Sequence, residues 1–170
     1  MMPTFNNTLD NIEELFLELK KHASRDGIVI VGVGNPLRGD DGVGVLIAQR
    51  LKRRSFARNV VVAGANPENF VSHIASKNPK VVIFVDAVSA DLEPGSVVFA
   101  PLPEAERKYG IFSTHNIPLS LILRLIGDVK GYILGIQAAN TQIGDKMHSN
   151  VMKAAEIVAN ILEKLLLSLE

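Results

Sequence analysis

Three segments of this 170-residue chain carry side chains whose type and setting could do chemistry. Asp40 and Asp41 sit at the end of the turn Gly32-Val33-Gly34-Asn35-Pro36-Leu37-Arg38-Gly39, which follows the apolar run beginning at Ile28. Asp86 closes a second apolar run, Val81-Val82-Ile83-Phe84-Val85, and His115 lies in the polar stretch Ser113-Thr114-His115-Asn116. Two carboxylates and an imidazole form a suitable nitrogen–oxygen donor set for a divalent ion such as nickel or zinc. Three protein ligands would leave positions open for water or a substrate atom. The chain has no cysteine, so thiolate sites, disulfides and cysteine nucleophiles are excluded. The three segments are far apart in sequence and do not form a compact metal motif.

Other chemistries fit less well. Gly32-Val33-Gly34-Asn35-Pro36-Leu37 opens like a dinucleotide fingerprint but ends in Leu37 where a third glycine belongs, and no Gly-Lys-Ser/Thr follows. Two acids at that turn would also repel a pyrophosphate. Taken alone, the acidic pair reads as a helix cap that complements the dipole, one acid capping while its neighbour faces a cleft. Asp86 is equally a strand-end acid in solvent and a group at the ligand-binding edge. Ser113 and Thr114 neighbour His115, but adjacency in sequence does not make a nucleophile–base pair. Of the other histidines, His22 ends a helix, His73 reads as a surface residue and His148 lies in a polar loop.

The elements that must hold these groups alternate in type. A strand is expected at 28–33, followed by a helix from about Asp41 to Arg53 with Val43, Leu46, Ile47 and Leu51 as its apolar stripe. Further strands are expected at 59–63, 80–86, 96–100 and 132–137. A helix starts at Asn66-Pro67, with Asn66 as cap and Pro67 at the first helical position. Another spans about 116–126, with Pro118 in its first turn, and a long helix covers about 151–167. Residues 101–114 lack periodicity and read as a loop. The alternation predicts a single-domain, three-layer α/β/α fold with a twisted, mostly parallel five-stranded sheet. In such sheets ligands bind outside the carboxyl ends of the strands. An amphipathic helix over 8–22, with Leu9, Ile12, Phe16 and Leu19 on its apolar face, makes residues 1–27 an N-terminal helical extension to a domain over 28–170.

Formal net charge is zero, which gives no electrostatic case for nucleic acid. The N-terminal sequence lacks the basic and apolar regions of a signal peptide. No apolar run reaches the roughly 18 residues of a membrane span. No membrane insertion, a cytoplasmic setting and a monomer are the expectations.

The motifs together resemble the [NiFe]-hydrogenase maturation endopeptidases. Gly32 to Gly44 is similar to that family's opening motif, Val85-Asp86-Ala87 to its second, and Ser113-Thr114-His115-Asn116-Ile117-Pro118-Leu119 to its third. With Gly64-Ala65-Asn66-Pro67-Glu68-Asn69 and Leu134-Gly135-Ile136-Gln137, the chain most resembles the formate-linked hydrogenase branch. The resemblance runs over about residues 28–165. It implies an endopeptidase that removes the C-terminal extension of a hydrogenase large-subunit precursor after nickel insertion. By that resemblance the nickel is carried by the substrate, and whether the free enzyme also holds metal stays open. The implied nickel-recognising and catalytic residues are Asp41, Asp86 and His115, with Asp40 secondary and closer to a capping role. Water activation by nickel as Lewis acid and by a carboxylate as base both remain open. So does a non-proteolytic, nickel-dependent chaperone of the same subunit. The resemblance does not account for the N-terminal helix, whose amphipathic face favours packing on the body over contact with a partner.

Overall fold

The computed structural model describes Glu14 and residues 17–113 and 115–169. Its centre is β1 (Ile28–Val33), whose six residues are all buried. Burial on both faces is what a continuous aliphatic run predicts for an inner parallel strand. β1 lies between β2 (Val60–Gly64) and β3 (Val81–Ser89), parallel to both. β3 pairs in parallel with β6 (Lys130–Gln137), and β4 (Val97–Pro101) closes that side antiparallel to β6. These five strands lie in the order β2-β1-β3-β6-β4.

Side chains alternate across the sheet, as strand geometry requires. Ile28 and Ile30 enter one core, with α1 (Val43–Leu51) and α5 (Ser149–Ser168). Val29, Val31 and Val33 enter the other, with α2 (Val71–Ala75), α3 (Leu102–Lys108) and α4 (Leu119–Ile126). The result is the expected three-layer, mostly parallel α/β/α domain.

Two elements depart from expectation. Residues 101–114 do not form a plain loop. They hold α3, entered through Pro101, with Pro103 in its first turn and with Leu102 and Ala105 buried. They also hold a sixth strand, β5 (Phe112–Ser113), which pairs antiparallel with the end of β3. β3 itself runs on to Ser89, so Asp86 lies within the strand, opposite Gly135 of β6, and does not end it. Pro118 is the residue before α4, in an extended conformation, and not part of the helix's first turn.

Most of the helix expected over 8–22 lies outside the described residues. Within them, 17–20 are helical, and Leu19 is wholly buried in the core that α5 covers. Arg25 Nε donates to the carbonyl oxygens of Leu166 at 2.7 Å and Leu169 at 3.0 Å. These are acceptors that the end of α5 would otherwise leave without partners. Tyr132, stacked on Phe99 with ring centres 5.0 Å apart, has its hydroxyl 3.5 Å from Glu18. Burial, with the Glu18 charge alongside, pushes that hydroxyl's pKa up to about 12. Among the described residues no helix is long and apolar enough to cross a membrane.

Candidate active site

The turn after β1 is built on close backbone approach. Gly34 has φ +130, and a Cβ placed there would fall 1.8 Å from the Asp41 carbonyl oxygen and 3.5 Å from Asp86 Oδ1. Any other residue would force the turn open. Gly44, near the start of α1, brings the helix equally close to the sheet: a Cβ there would lie 2.1 Å from the Val85 carbonyl oxygen. These glycines therefore serve to press the acidic turn and α1 against β1 and β3, a different task from admitting a phosphate.

Asp41 is partly buried, and its Oδ2 accepts the backbone N–H of Asn35 at 2.8 Å. It lines a small cleft of about 100 Å³ together with Gly34, Asn35, Arg38, Ala65, His115 and Asn116. Asp86 lies behind this lining and is wholly buried. Its Oδ1 accepts the N–H of Ala87 at 2.8 Å, and its Oδ2 accepts the Ser113 hydroxyl. Burial lifts the Asp86 pKa well above the usual 3.8 against the hydrogen bond from Ser113, and the nearby Asp41 charge adds to the rise. Desolvation and a like charge both disfavour the ionised form.

Ser113 reaches Asp86 because β5 pairs with β3, with Val88 opposite Ser113. The same hydroxyl oxygen accepts the backbone N–H of His115 at 3.0 Å. The His115 side chain is 10% exposed, and its Nε2 is 3.2 Å from Glu68 Oε2. Glu68 comes from the 3-10 turn Pro67–Phe70 after β2. Asn66 precedes that turn as expected, though its side chain makes no capping bond.

The structure thus places Asp41 and His115 on one cleft and Asp86 just behind it. Asp40, next to Asp41 in sequence, has a different environment. It is wholly buried and accepts three backbone N–H groups, from Ala139 at 2.7 Å, Asn140 at 2.8 Å and His148 at 2.7 Å. The expected capping role is not seen: Gly42 precedes α1, and no side chain caps it. Asp40 instead anchors the segment between β6 and α5. There Arg38 Nε also donates to the Thr141 carbonyl, and Gly144 N–H donates to that of Leu37. His148 is the residue before α5, and its Nδ1 accepts the N–H of Asn150. His73 is exposed and His22 pairs with Glu18. Among the described residues no group of three or more His, Asp or Glu side chains is arranged as a metal site.

Two residues of the site, Ser113 and Glu68, stand in the motifs of the sequence but are given no part in the site there. A hydroxyl beside a histidine and a glutamate after a proline carry no signal until the sheet closes.

A three-layer α/β domain with a carboxylate–imidazole cleft at the carboxyl edge of its sheet is an architecture suited to hydrolysis. The HycI family of hydrogenase maturation proteases matches residues 45–167, a span that includes Asp86 and His115. The Escherichia coli hydrogenase 3 maturation protease is 30% identical over 79% of this chain and 88% of its own length. The crystal structure of a [NiFe] hydrogenase maturation protease HycI from Thermococcus kodakarensis superposes with a TM-score of 0.73 at 31% identity. That alignment covers 88% of this chain and 97% of the other. The solution structure of an endopeptidase HycI from Escherichia coli gives 0.70 at 29% identity over 80% of this chain and 88% of its own. The chain belongs to the hydrogenase maturation protease family. It is accordingly a peptidase, and the nucleotide-binding reading of its glycine turn falls away.

Proposed function

We propose that this peptidase removes the C-terminal extension of a hydrogenase large-subunit precursor once nickel has been inserted, and that Asp41, Asp86 and His115 meet the precursor's nickel. The observation that carries the reading is the shared cleft. Asp41 and His115 line it, and Asp86 stands behind Gly34, linked to the His115 backbone through Ser113. An ion that arrives with the substrate would bring its own ligands and need only be met by these three groups. Holding the scissile segment by its metal would supply much of the rate enhancement through positioning.

Cleavage adds water across the peptide bond. The water oxygen bonds to the carbonyl carbon, the C–N bond breaks, and the leaving nitrogen takes a proton. Nickel polarising the carbonyl and a carboxylate taking the water's proton are the two activations this donor set supports. His115 ligates only as the neutral imidazole. Asp86 must give up a proton that its burial helps it keep.

The test is incubation of the protein with nickel-loaded and nickel-free precursor, read by intact-mass spectrometry. Loss of a C-terminal peptide from the loaded precursor alone is the expected result. A stable complex with uncut precursor would support the chaperone reading in its place. Equal cutting of both precursors would remove nickel from the mechanism.

A further inference from the structure

The imidazole of His115 has two nitrogens, and among the described residues one of them has a hydrogen-bond partner. Nε2 lies 3.2 Å from Glu68 Oε2, in a pair where His115 is 10% and Glu68 31% exposed. An ionised carboxylate is an acceptor only. The partner nitrogen must therefore carry the hydrogen, and in a neutral ring this leaves the lone pair on Nδ1. The backbone of the same residue is tied down independently, since its N–H donates to Ser113 Oγ. Glu68 is itself on a braced support: Pro67 opens its 3-10 turn, and Asn69 N–H closes on the Asn66 carbonyl at 3.0 Å. His115 is thus held at its backbone from β5 and at its ring from the turn after β2.

We propose that Glu68 is the positioning residue of His115, accepting its Nε2–H so that the ring presents Nδ1 as the nitrogen that meets the substrate's metal. The proposal rests on the reading that His115 engages nickel, and it names the atom that does so. A carboxylate on the far nitrogen of a ligating histidine fixes the tautomer and the ring orientation and raises ligand basicity. It also explains why a glutamate that does not line the cleft lies against a residue that does. A side chain packed against the ring without accepting from Nε2 would have no bearing on which ring nitrogen is protonated.

The test reads the tautomer directly in the metal-free protein. Protein labelled with 15N-histidine is examined in mildly alkaline buffer by long-range 1H–15N correlation, for the wild type, Glu68→Gln and Glu68→Ala. The expected result is the Nε2–H tautomer in the wild type, retained in Glu68→Gln, whose amide oxygen still accepts, and a mixture of tautomers in Glu68→Ala. Precursor cleavage should fall roughly 10- to 100-fold in Glu68→Ala and be largely kept in Glu68→Gln. A wild-type ring protonated on Nδ1 overturns the proposal. So does a Glu68→Ala protein that keeps a pure Nε2–H ring and normal cleavage. Should Glu68→Ala fail to fold, a Glu68→Gln protein that folds but cleaves as poorly as His115→Ala overturns it as well. Failure of the nickel reading looks different: His115→Ala would then still cut the loaded precursor, whatever tautomer the ring adopts.

Discussion

Asp40 and Asp86 are, among the described residues, the two carboxylates with no solvent exposure, and their surroundings differ sharply. Asp40 receives three backbone N–H groups from a segment about a hundred residues downstream. Asp86 receives the N–H of its immediate neighbour and one hydroxyl, with the Asp41 charge close by. Burial alone therefore does not mark a functional acid. The number and permanence of the donors around it do: a carboxylate supplied with main-chain donors is fixed in place, while one left short of them holds its proton and stays available for exchange. The comparison marks Asp40 as an anchor of the chain and leaves Asp86 as the acid that the proposed function uses, although the sequence offers both as site acids.

The largest effect expected from this contrast is on activity. Asp86→Asn should lower cleavage of nickel-loaded precursor by at least about 100-fold, because loss of an engaging group should exceed the loss of an outer partner. A cleavage rate within a few-fold of wild type would place Asp86 with Asp40 as a structural acid. Next in size is the stability cost of Asp40→Ala. It removes the acceptor from three N–H groups in part-buried bonds, and since water can reach donors on exposed residues the loss should be about 1–3 kcal/mol in total, seen as a lower urea midpoint. An unchanged midpoint would mean that the 138–148 segment is held by other contacts. The smallest effect runs the opposite way: Asp86→Asn should stabilise the protein at neutral pH by about 1 kcal/mol, since it removes a desolvated acid from an active site.

That gain has a definite pH dependence. The Asp86 pKa is raised on folding, so over a window beginning near 3.8 the folded chain keeps a proton that the unfolded chain has released. The stability contributed by protonated Asp86 is fully present below that window and is lost as pH rises through the folded value. Thermal melts across this range should show the wild type losing stability relative to Asp86→Asn as pH rises. Parallel curves for the two proteins would show that Asp86 has no raised pKa.

What could be read in advance divides along similar lines. The five main strands follow from aliphatic runs, and β1 has the bounds its residues suggest, because an inner parallel strand is a local pattern. α3 is hidden by Pro101 and Pro103, which read as loop residues yet sit before it and in its first turn, and seven residues are too few to show a period. β5 has two residues and exists only because β3 offers an edge beyond Asp86. Asp41, Asp86 and His115 were legible as a set through the order of three motifs. Glu68 beside His115 and Asp40 beside Asn140 were not, since both depend on how distant segments meet.

The anchor at Asp40 also sets an order of assembly. Asp40 leaves the ribosome about a hundred residues ahead of Ala139 and Asn140, whose N–H groups it needs. At roughly 5–20 residues per second, that is an interval of about 5–20 s. Arg25 waits longer still, for carbonyls at Leu166 and Leu169. The acidic turn is thus made early and locked late, by the part of the chain synthesised after it. A nascent or truncated polypeptide lacking the stretch after β6 holds the turn that carries Asp41 without the clamp that Asp40 makes with that stretch.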